Sequence, residues 1–227
     1  ALACAKLRHP HIVQLHDAGR TDGYCWMAME YVKGASLTRV IREIGQNGML
    51  DWHDALIVGI HITRGLQAAF EHQIIHRNIQ PANILIRSSD NLAKLADLTL
   101  AKAFEGRMAE QITGEGQVVG DMVYMSPERT MAGSEIDQRS DIYSLGATLY
   151  TLICGRLPFD GHTLPDLVGK IRKNPPMSPR QFQATVPELF ERVILKMLAK
   201  RPEDRHQTPD NLLADLQRVA ASEAVEF

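Results

Sequence analysis

An amide and a carboxylate, Asn83 and Asp97, are the residues whose type and placement speak first of chemistry. They stand at two ends of one feature within Ile74 to Leu100, which reads IIHRNIQPANILIRSSDNLAKLADLTL. A polar loop, 76–83, runs into a short apolar strand, 84–86. A turn at Ser88-Ser89-Asp90-Asn91 follows, and a second strand, 92–96, ends on Asp97. The pattern predicts a hairpin with both polar ends facing one side. Both groups are hard oxygen donors of the kind that hold Mg²⁺ against a phosphate chain. Taken alone, such a pair is ordinarily a polar turn and an edge-strand acid, and the surrounding residues must decide between the two.

The elements that would position this stretch can be read along the chain. Residues 1–7 are helix-prone, and Arg8-His9-Pro10 ends that run because Pro10 disfavours helix at His9. Residues 12–15 read as a strand, Thr21-Asp22-Gly23 as a hairpin turn and 24–32 as the return strand. Ser36 caps a short helix to about Ile44, which Gly45 to Gly48 break. Asp51 opens a long amphipathic helix carrying Leu56, Ile60, Leu66 and Phe70 near helical spacing. Residues 101–119 are polar and rich in Gly and Glu, a loop. Ser140-Asp141 caps an apolar helix over 142–154 that Gly155 terminates. Helices over about 165–172 and 187–198 follow, and Thr208-Pro209 starts the last one, Pro in the first turn after a Thr cap being a favoured beginning.

Composition bounds the class. The chain has 227 residues, 44% hydrophobic and 23% charged, with a formal net charge of -2, which suits a globular protein with a sizeable core. Near-neutral charge leaves no electrostatic footprint for nucleic acid or an acidic membrane. No run approaches the roughly 20 apolar residues of a membrane span. Cys4, Cys25 and Cys154 lack metal-ligand or disulfide-framework spacing, which favours a reducing, cytoplasmic compartment. His9, His11 and His16 have no acid or thiol patterned around them, so no metal site is expected there. The chain opens on Ala1 without a Met, which points to residues upstream.

The loop His76-Arg77-Asn78-Ile79-Gln80-Pro81-Ala82-Asn83 and the segment Asp97-Leu98-Thr99 resemble the catalytic core of Ser/Thr protein kinases, His-Arg-Asp-x-x-x-x-Asn followed by Asp-Phe-Gly. Residues 120–128, closing on Ser126-Pro127-Glu128, resemble the end of that family's activation segment. The resemblance covers nearly the whole chain. It implies an α+β, protein-kinase-like fold, with 1–32 a remnant of the small lobe (the end of a helix, two strands and a hinge) and 33–227 the helical large lobe. Asn83 and Asp97 are then metal ligands. Met29 is the residue guarding the nucleotide pocket, Glu30-Tyr31-Val32 the hinge that would hydrogen-bond an adenine, and Leu85 the floor beneath it. Arg77 would answer a phosphate on the activation segment, with Thr113 a candidate site. Glu128 and Arg205 are expected to form a structural ion pair. Cys4, Leu15, Leu98 and His76 would stack as a spine anchored by Asp141.

Four positions depart from the family pattern. Asn78 replaces the catalytic aspartate and cannot take a hydroxyl proton, and loss of such a group costs roughly 10²–10⁴ in rate. Gln80 replaces the lysine that would neutralise the moving phosphate. Thr99 replaces a glycine, and Asp121 replaces a threonine. The Gly-rich loop and strand lysine lie upstream of this chain in the family pattern, and no Glu precedes Glu30. These departures imply a catalytically dead or severely impaired domain acting as a protein-binding scaffold or regulatory module, with the sensing of ATP and Mg²⁺ as a capacity the remaining ligands allow. The alternative is an active Ser/Thr kinase whose remaining parts precede Ala1, and a third reading is a metal-dependent nucleotide binder without transfer.

Overall fold

The computed structural model describes residues 7–22, 24–44, 49–97 and 122–227. Cys4, Leu98, Thr99, Thr113 and Asp121 lie outside these residues.

Five strands and six α-helices are formed among the described residues, an α+β architecture with two small sheets. Strands β1 (Leu15–Thr21) and β2 (Tyr24–Met29) make an antiparallel pair in which Leu15 faces Met29 and Thr21 faces Tyr24. The strand expected over 12–15 therefore starts later. Ile12 instead makes an isolated parallel bridge to Leu95, and the Val13 amide donates to the Leu95 carbonyl at 2.9 Å. The return strand also stops at Met29, three residues short of Val32.

The second sheet orders β3 (Gly34–Ser36), β4 (Ile84–Arg87) and β5 (Ala93–Leu95), all antiparallel. The hairpin read from the sequence is thus β4 and β5, with Ile84 opposite Leu95. Gly34 lets β3 approach closely, for a Cβ there would lie 1.8 Å from the Ile86 carbonyl oxygen.

Helix α1 (Leu37–Ile44) follows, and α2 (Trp52–Glu71) begins at Asp51, whose carboxylate accepts from the His53 amide. Leu56, Ile60 and Leu66 on α2 are buried, whereas Phe70 in the last turn is exposed; there it is Ala69 that faces inward, packed with Leu7 and Ile12. Helix α3 (Gln138–Cys154) is buried on nearly every face, as a helix at the centre of a domain should be. Three of its hydroxyls are satisfied within the helix: Ser144 Oγ donates to the Ser140 carbonyl, Thr148 Oγ1 to the Ser144 carbonyl and Thr151 Oγ1 to the Ala147 carbonyl. The cap differs from the expected one. Asp137 caps α3 through the Arg139 amide, and the chain leaves through Gly155 at φ 63. Asp141 is released from capping for another task.

Helices α4 (Leu164–Lys173), α5 (Glu188–Met197) and α6 (Pro209–Ser222) complete the set. Thr163 and Thr208 cap α4 and α6 through side-chain oxygens, with Pro in each first turn. Helix α2 packs on α3 and α6, and α3 on α5, so the core lies among the helices and takes in Ile84, Ala93 and Leu95 of the second sheet, whose β5 packs on α2. Among the described residues no helix is long and apolar enough to cross a membrane.

Candidate functional site

The loop that follows α2 is held from below by Asp141 of α3. One carboxylate oxygen accepts the His76 amide at 2.7 Å and the other accepts the Arg77 amide at 2.7 Å. Burial pushes this carboxyl up to about 6, and the two amides with the nearby Arg129 and Arg77 charges oppose that rise. Asp141 is thus not the helix cap, but it does anchor His76, as the family resemblance implied.

His76 is fully buried and its protonation state follows from its partners. The Ala96 carbonyl, which can only accept, lies 2.7 Å from Nε2, so Nε2 carries the proton. Nδ1 accepts the Asn78 amide at 3.2 Å. The ring is thus neutral, and burial lowers its pKa to about 4. His76 thereby joins the loop to the residue preceding Asp97.

Two residues in this region have left-handed backbone, Arg77 at φ 67 and Asp97 at φ 63. Such angles are uncommon outside glycine and persist where surrounding bonds over-determine them. At Arg77 the bonds are the amide to Asp141 and the guanidinium of Arg129, which donates to the Arg77 carbonyl. Arg129 was not singled out from the sequence. Only its place beside Glu128, the residue closing the activation-segment motif, could have pointed to it.

Asn78, Gln80 and Asn83 form one amide network. Gln80 Nε2 donates to Asn78 Oδ1 at 2.9 Å, and Asn83 Nδ2 donates to the Asn78 carbonyl at 2.8 Å. Gln80 and Asn83 are buried, and residues Pro81–Asn83 form a 3₁₀ turn leading into β4. The Ala96 amide donates to the Asn83 carbonyl at 2.8 Å, which ties the residue before Asp97 to Asn83.

A metal was expected at Asn83 and Asp97, and the donor chemistry fits. The Asn83 NH₂ is engaged with Asn78, which leaves Oδ1 as the atom offered to a cation. Mg²⁺ ordinarily takes one or two protein oxygens and completes its shell with water and phosphate, so it needs no cage of carboxylates. Among the described residues no group of three or more His, Cys, Asp or Glu could hold a metal by itself. Binding at this pair would therefore depend on phosphate oxygens brought by a nucleotide.

The segment expected to meet an adenine is extended chain after β2. Met29 is partly exposed, Val32 half-buried, and among the described residues the Val32 amide makes no hydrogen bond. Leu85 is half-buried on β4 between Ser36 and Lys94. Glu30 takes part with its side chain as well as its backbone. Its amide donates to the Gln14 carbonyl at 2.8 Å, and its carboxylate accepts from Lys94 Nζ at 2.5 and 2.6 Å and from the Gln14 amide at 3.2 Å. Burial works against the ionised carboxylate, but these hydrogen bonds prevail and lower its pKa. Lys94 was missed in the sequence, although a lysine between Ala93 and Leu95 in a short apolar strand is a visible anomaly.

Farther from the loop, Arg205 grips Glu128 with two bonds of 2.8 Å each, and Ser140 Oγ donates to the same carboxylate at 2.6 Å. The remaining Arg205 donors reach the carbonyls of Ala199, Arg139 and Lys200. Both charged side chains are buried and each Arg205 donor meets an acceptor, which makes this pair a structural staple for the segment ending at Glu128.

Comparison with known proteins adds three findings. A family model described as "Protein kinase domain" matches residues 2–215. The serine/threonine-protein kinase PrkC of Bacillus subtilis is 35% identical over 217 residues, an alignment covering 96% of this chain and 32% of PrkC. Among solved structures, the Mycobacterium tuberculosis PknI kinase domain superposes with a TM-score of 0.73 at 27% identity, covering 96% of this chain and 75% of that one. Rad53 in complex with AMP-PNP superposes with a TM-score of 0.77 at 24% identity, which bears on the fold alone. The chain spans about a third of the length of the curated relatives it matches first, 31% and 32% for those from Clostridium perfringens and Bacillus subtilis.

Proposed function

Because this chain belongs to the protein kinase domain family, we propose that it holds a Mg²⁺–nucleotide at Asn83 and Asp97 and that its phosphoryl transfer to protein hydroxyls is slow or absent. The observation that carries this reading is the hydrogen bond from Gln80 to Asn78. Two neutral amides take the places where the family has an aspartate and a lysine. With the amides so assigned, the Asn78 oxygen is occupied, and its NH₂ is what remains to meet a substrate alcohol. An NH₂ donates to the alcohol oxygen and engages the lone pair that would attack phosphorus, and it accepts no proton. When bound, the metal would neutralise charge on the nucleotide phosphates; this chain's residues hold it, orient the loop through Asp141 and position the hinge. The biological output is then binding to a protein partner, gated by nucleotide, with the domain on the cytoplasmic side of whatever protein contains it.

A second reading, ordinary Ser/Thr phosphotransfer, is favoured by the comparisons. The relatives matched are serine/threonine kinases, and the buried anchors of the loop are present. Phosphoryl transfer passes through a loose transition state that asks more for positioning than for a base, so an amide at position 78 permits turnover if the remaining parts are supplied. Incubation of the longest protein containing this chain with Mg²⁺ and labelled ATP separates the two. Turnover at ordinary kinase rates that Asp97→Ala abolishes establishes the second reading. Mg²⁺-dependent nucleotide binding with transfer at background level establishes the first.

A further inference from the structure

We infer that the Glu30–Lys94 pair is a clamp that positions the hinge against the β4–β5 hairpin and thereby sets nucleotide affinity, a consequence that rests on the nucleotide-binding reading above. Lys94 lies on β5 opposite Leu85, three residues before Asp97, and is 5% exposed. A lysine this deeply buried needs a partner for its charge. Its ammonium meets both oxygens of Glu30 at 2.5 and 2.6 Å across 64 positions of sequence. On its upstream side the hinge is tied by the two-way bond between Glu30 and Gln14, and residues 11–13 bond in turn to Leu95. Just past it the Ser88 amide donates to the Lys33 carbonyl at 2.9 Å and Gly34 pairs with Arg87, so the segment's downstream end is fixed to β4 independently of Lys94. The hinge, residues 11–14 and β5 therefore close a ring in which Glu30 bonds to both other members, to Gln14 and to Lys94. The hairpin on which Lys94 sits carries Asn83 and Asp97 together at its open end, where Ile84 pairs with Leu95 and the Ala96 amide donates to the Asn83 carbonyl. Moving the hinge relative to Lys94 thus moves any adenine-binding amide relative to both metal ligands.

Hydrogen exchange at the Glu30 amide, which is bonded to Gln14, reads the clamp directly and needs no nucleotide. Lys94→Met and Glu30→Gln are expected to speed its exchange about tenfold or more, with Lys94→Arg restoring protection. Val193→Ala, a core change on α5, serves as a variant lowered in melting temperature without touching the hinge. In the same proteins Mg-ADP affinity is expected to fall about tenfold or more in Lys94→Met and to stay within twofold in Val193→Ala. Should either single variant fold poorly, the double variant Glu30→Gln with Lys94→Met, which leaves no buried charge unpaired, carries the comparison. The clamp is overturned if Glu30 exchange in both variants matches that of Val193→Ala. Failure of the unmodified chain to bind Mg-ADP overturns the nucleotide reading of the site, and the exchange result then still decides whether the clamp exists.

Discussion

The side-chain oxygen of Asn78 accepts a hydrogen bond from the Gln80 amide nitrogen at 2.9 Å, within a loop whose next amide neighbour, Asn83, donates to the Asn78 carbonyl at 2.8 Å. The loop is therefore ordered around neutral groups. The buried supports beneath it, His76 and Asp141, do not depend on the identity of residue 78, since both bind backbone atoms. Chemistry at this position can thus change while the scaffold stays.

Restoring the charged pair tests this separation. Asn78→Asp with Gln80→Lys, in the longest protein containing the chain, is expected to raise phosphotransfer by roughly 10²–10⁴ with little change in melting temperature. A flat rate at unchanged stability places the defect elsewhere, in the nucleotide clamp or at Thr99.

The metal ligands give a second prediction. Saturating Mg-ATP at 100 times its dissociation constant stabilises a binding protein by ~2.7 kcal/mol. That thermal shift is expected in the unmodified chain and should vanish in Asp97→Ala and in Asn83→Ala. A shift that survives both substitutions would place the nucleotide somewhere other than this hairpin.

Glu128 and Arg205 predict both stability and its pH dependence. Arg205→Met strands a buried carboxylate and should cost ~3–5 kcal/mol, read by chemical denaturation. Burial alone would raise the Glu128 pKa from 4.5, but the Arg205 and Ser140 bonds bring it down to about 2. A carboxyl depressed in the fold contributes stability that is complete above its unfolded value and is lost as pH falls from 4.5 through about 2. In Arg205→Met that acid-limb loss should shrink. An identical acid limb in both proteins would show that the pair contributes nothing to it.

Histidines govern the window above that. His61 and His76 both have pKa values lowered to about 4 from 6.5, burial being the main cause. Each is neutral in the fold and protonates more readily when unfolded, so its contribution is complete above pH 6.5 and declines as pH falls toward 4. Asp141 acts in the opposite sense. Burial raises it to about 6 from 3.8, so the folded protein takes up that proton first and gains stability as pH falls through this range. Asp141 offsets only part of this loss, since burial also lowers the pKa values of His9, His11 and His206. His61 accepts the Ala93 amide at 3.3 Å and stacks on His11 at 4.4 Å, so it is the more replaceable of the two. Melting temperature should fall between pH 6.5 and pH 4, and His61→Gln should flatten the fall while matching the unmodified protein's slope at higher pH. Equal slopes throughout would remove His61 from the account.

What the residues determined by themselves is local. Caps at Asp51 and Thr208, the stop at Gly155, the hairpin around Ser88 to Asn91 and the spacing from His76 to Asn83 all act within a few positions, so their physics is legible without a fold. The motif order also carried the family and, with it, the α+β class. The tertiary structure alone decided the rest. Asp141 sits in the first turn of a helix and reads as a cap, yet its carboxylate faces a loop 65 positions earlier. Lys94 reads as a misplaced charge in an apolar strand until Glu30, 64 positions away, neutralises it. Phe70 keeps the period of a buried face, yet in that turn Leu7 and Ile12 pack on Ala69 and leave Phe70 exposed. A buried charge or ring must be satisfied by whatever the folded chain brings beside it, and that partner is chosen by packing, which sequence spacing does not encode.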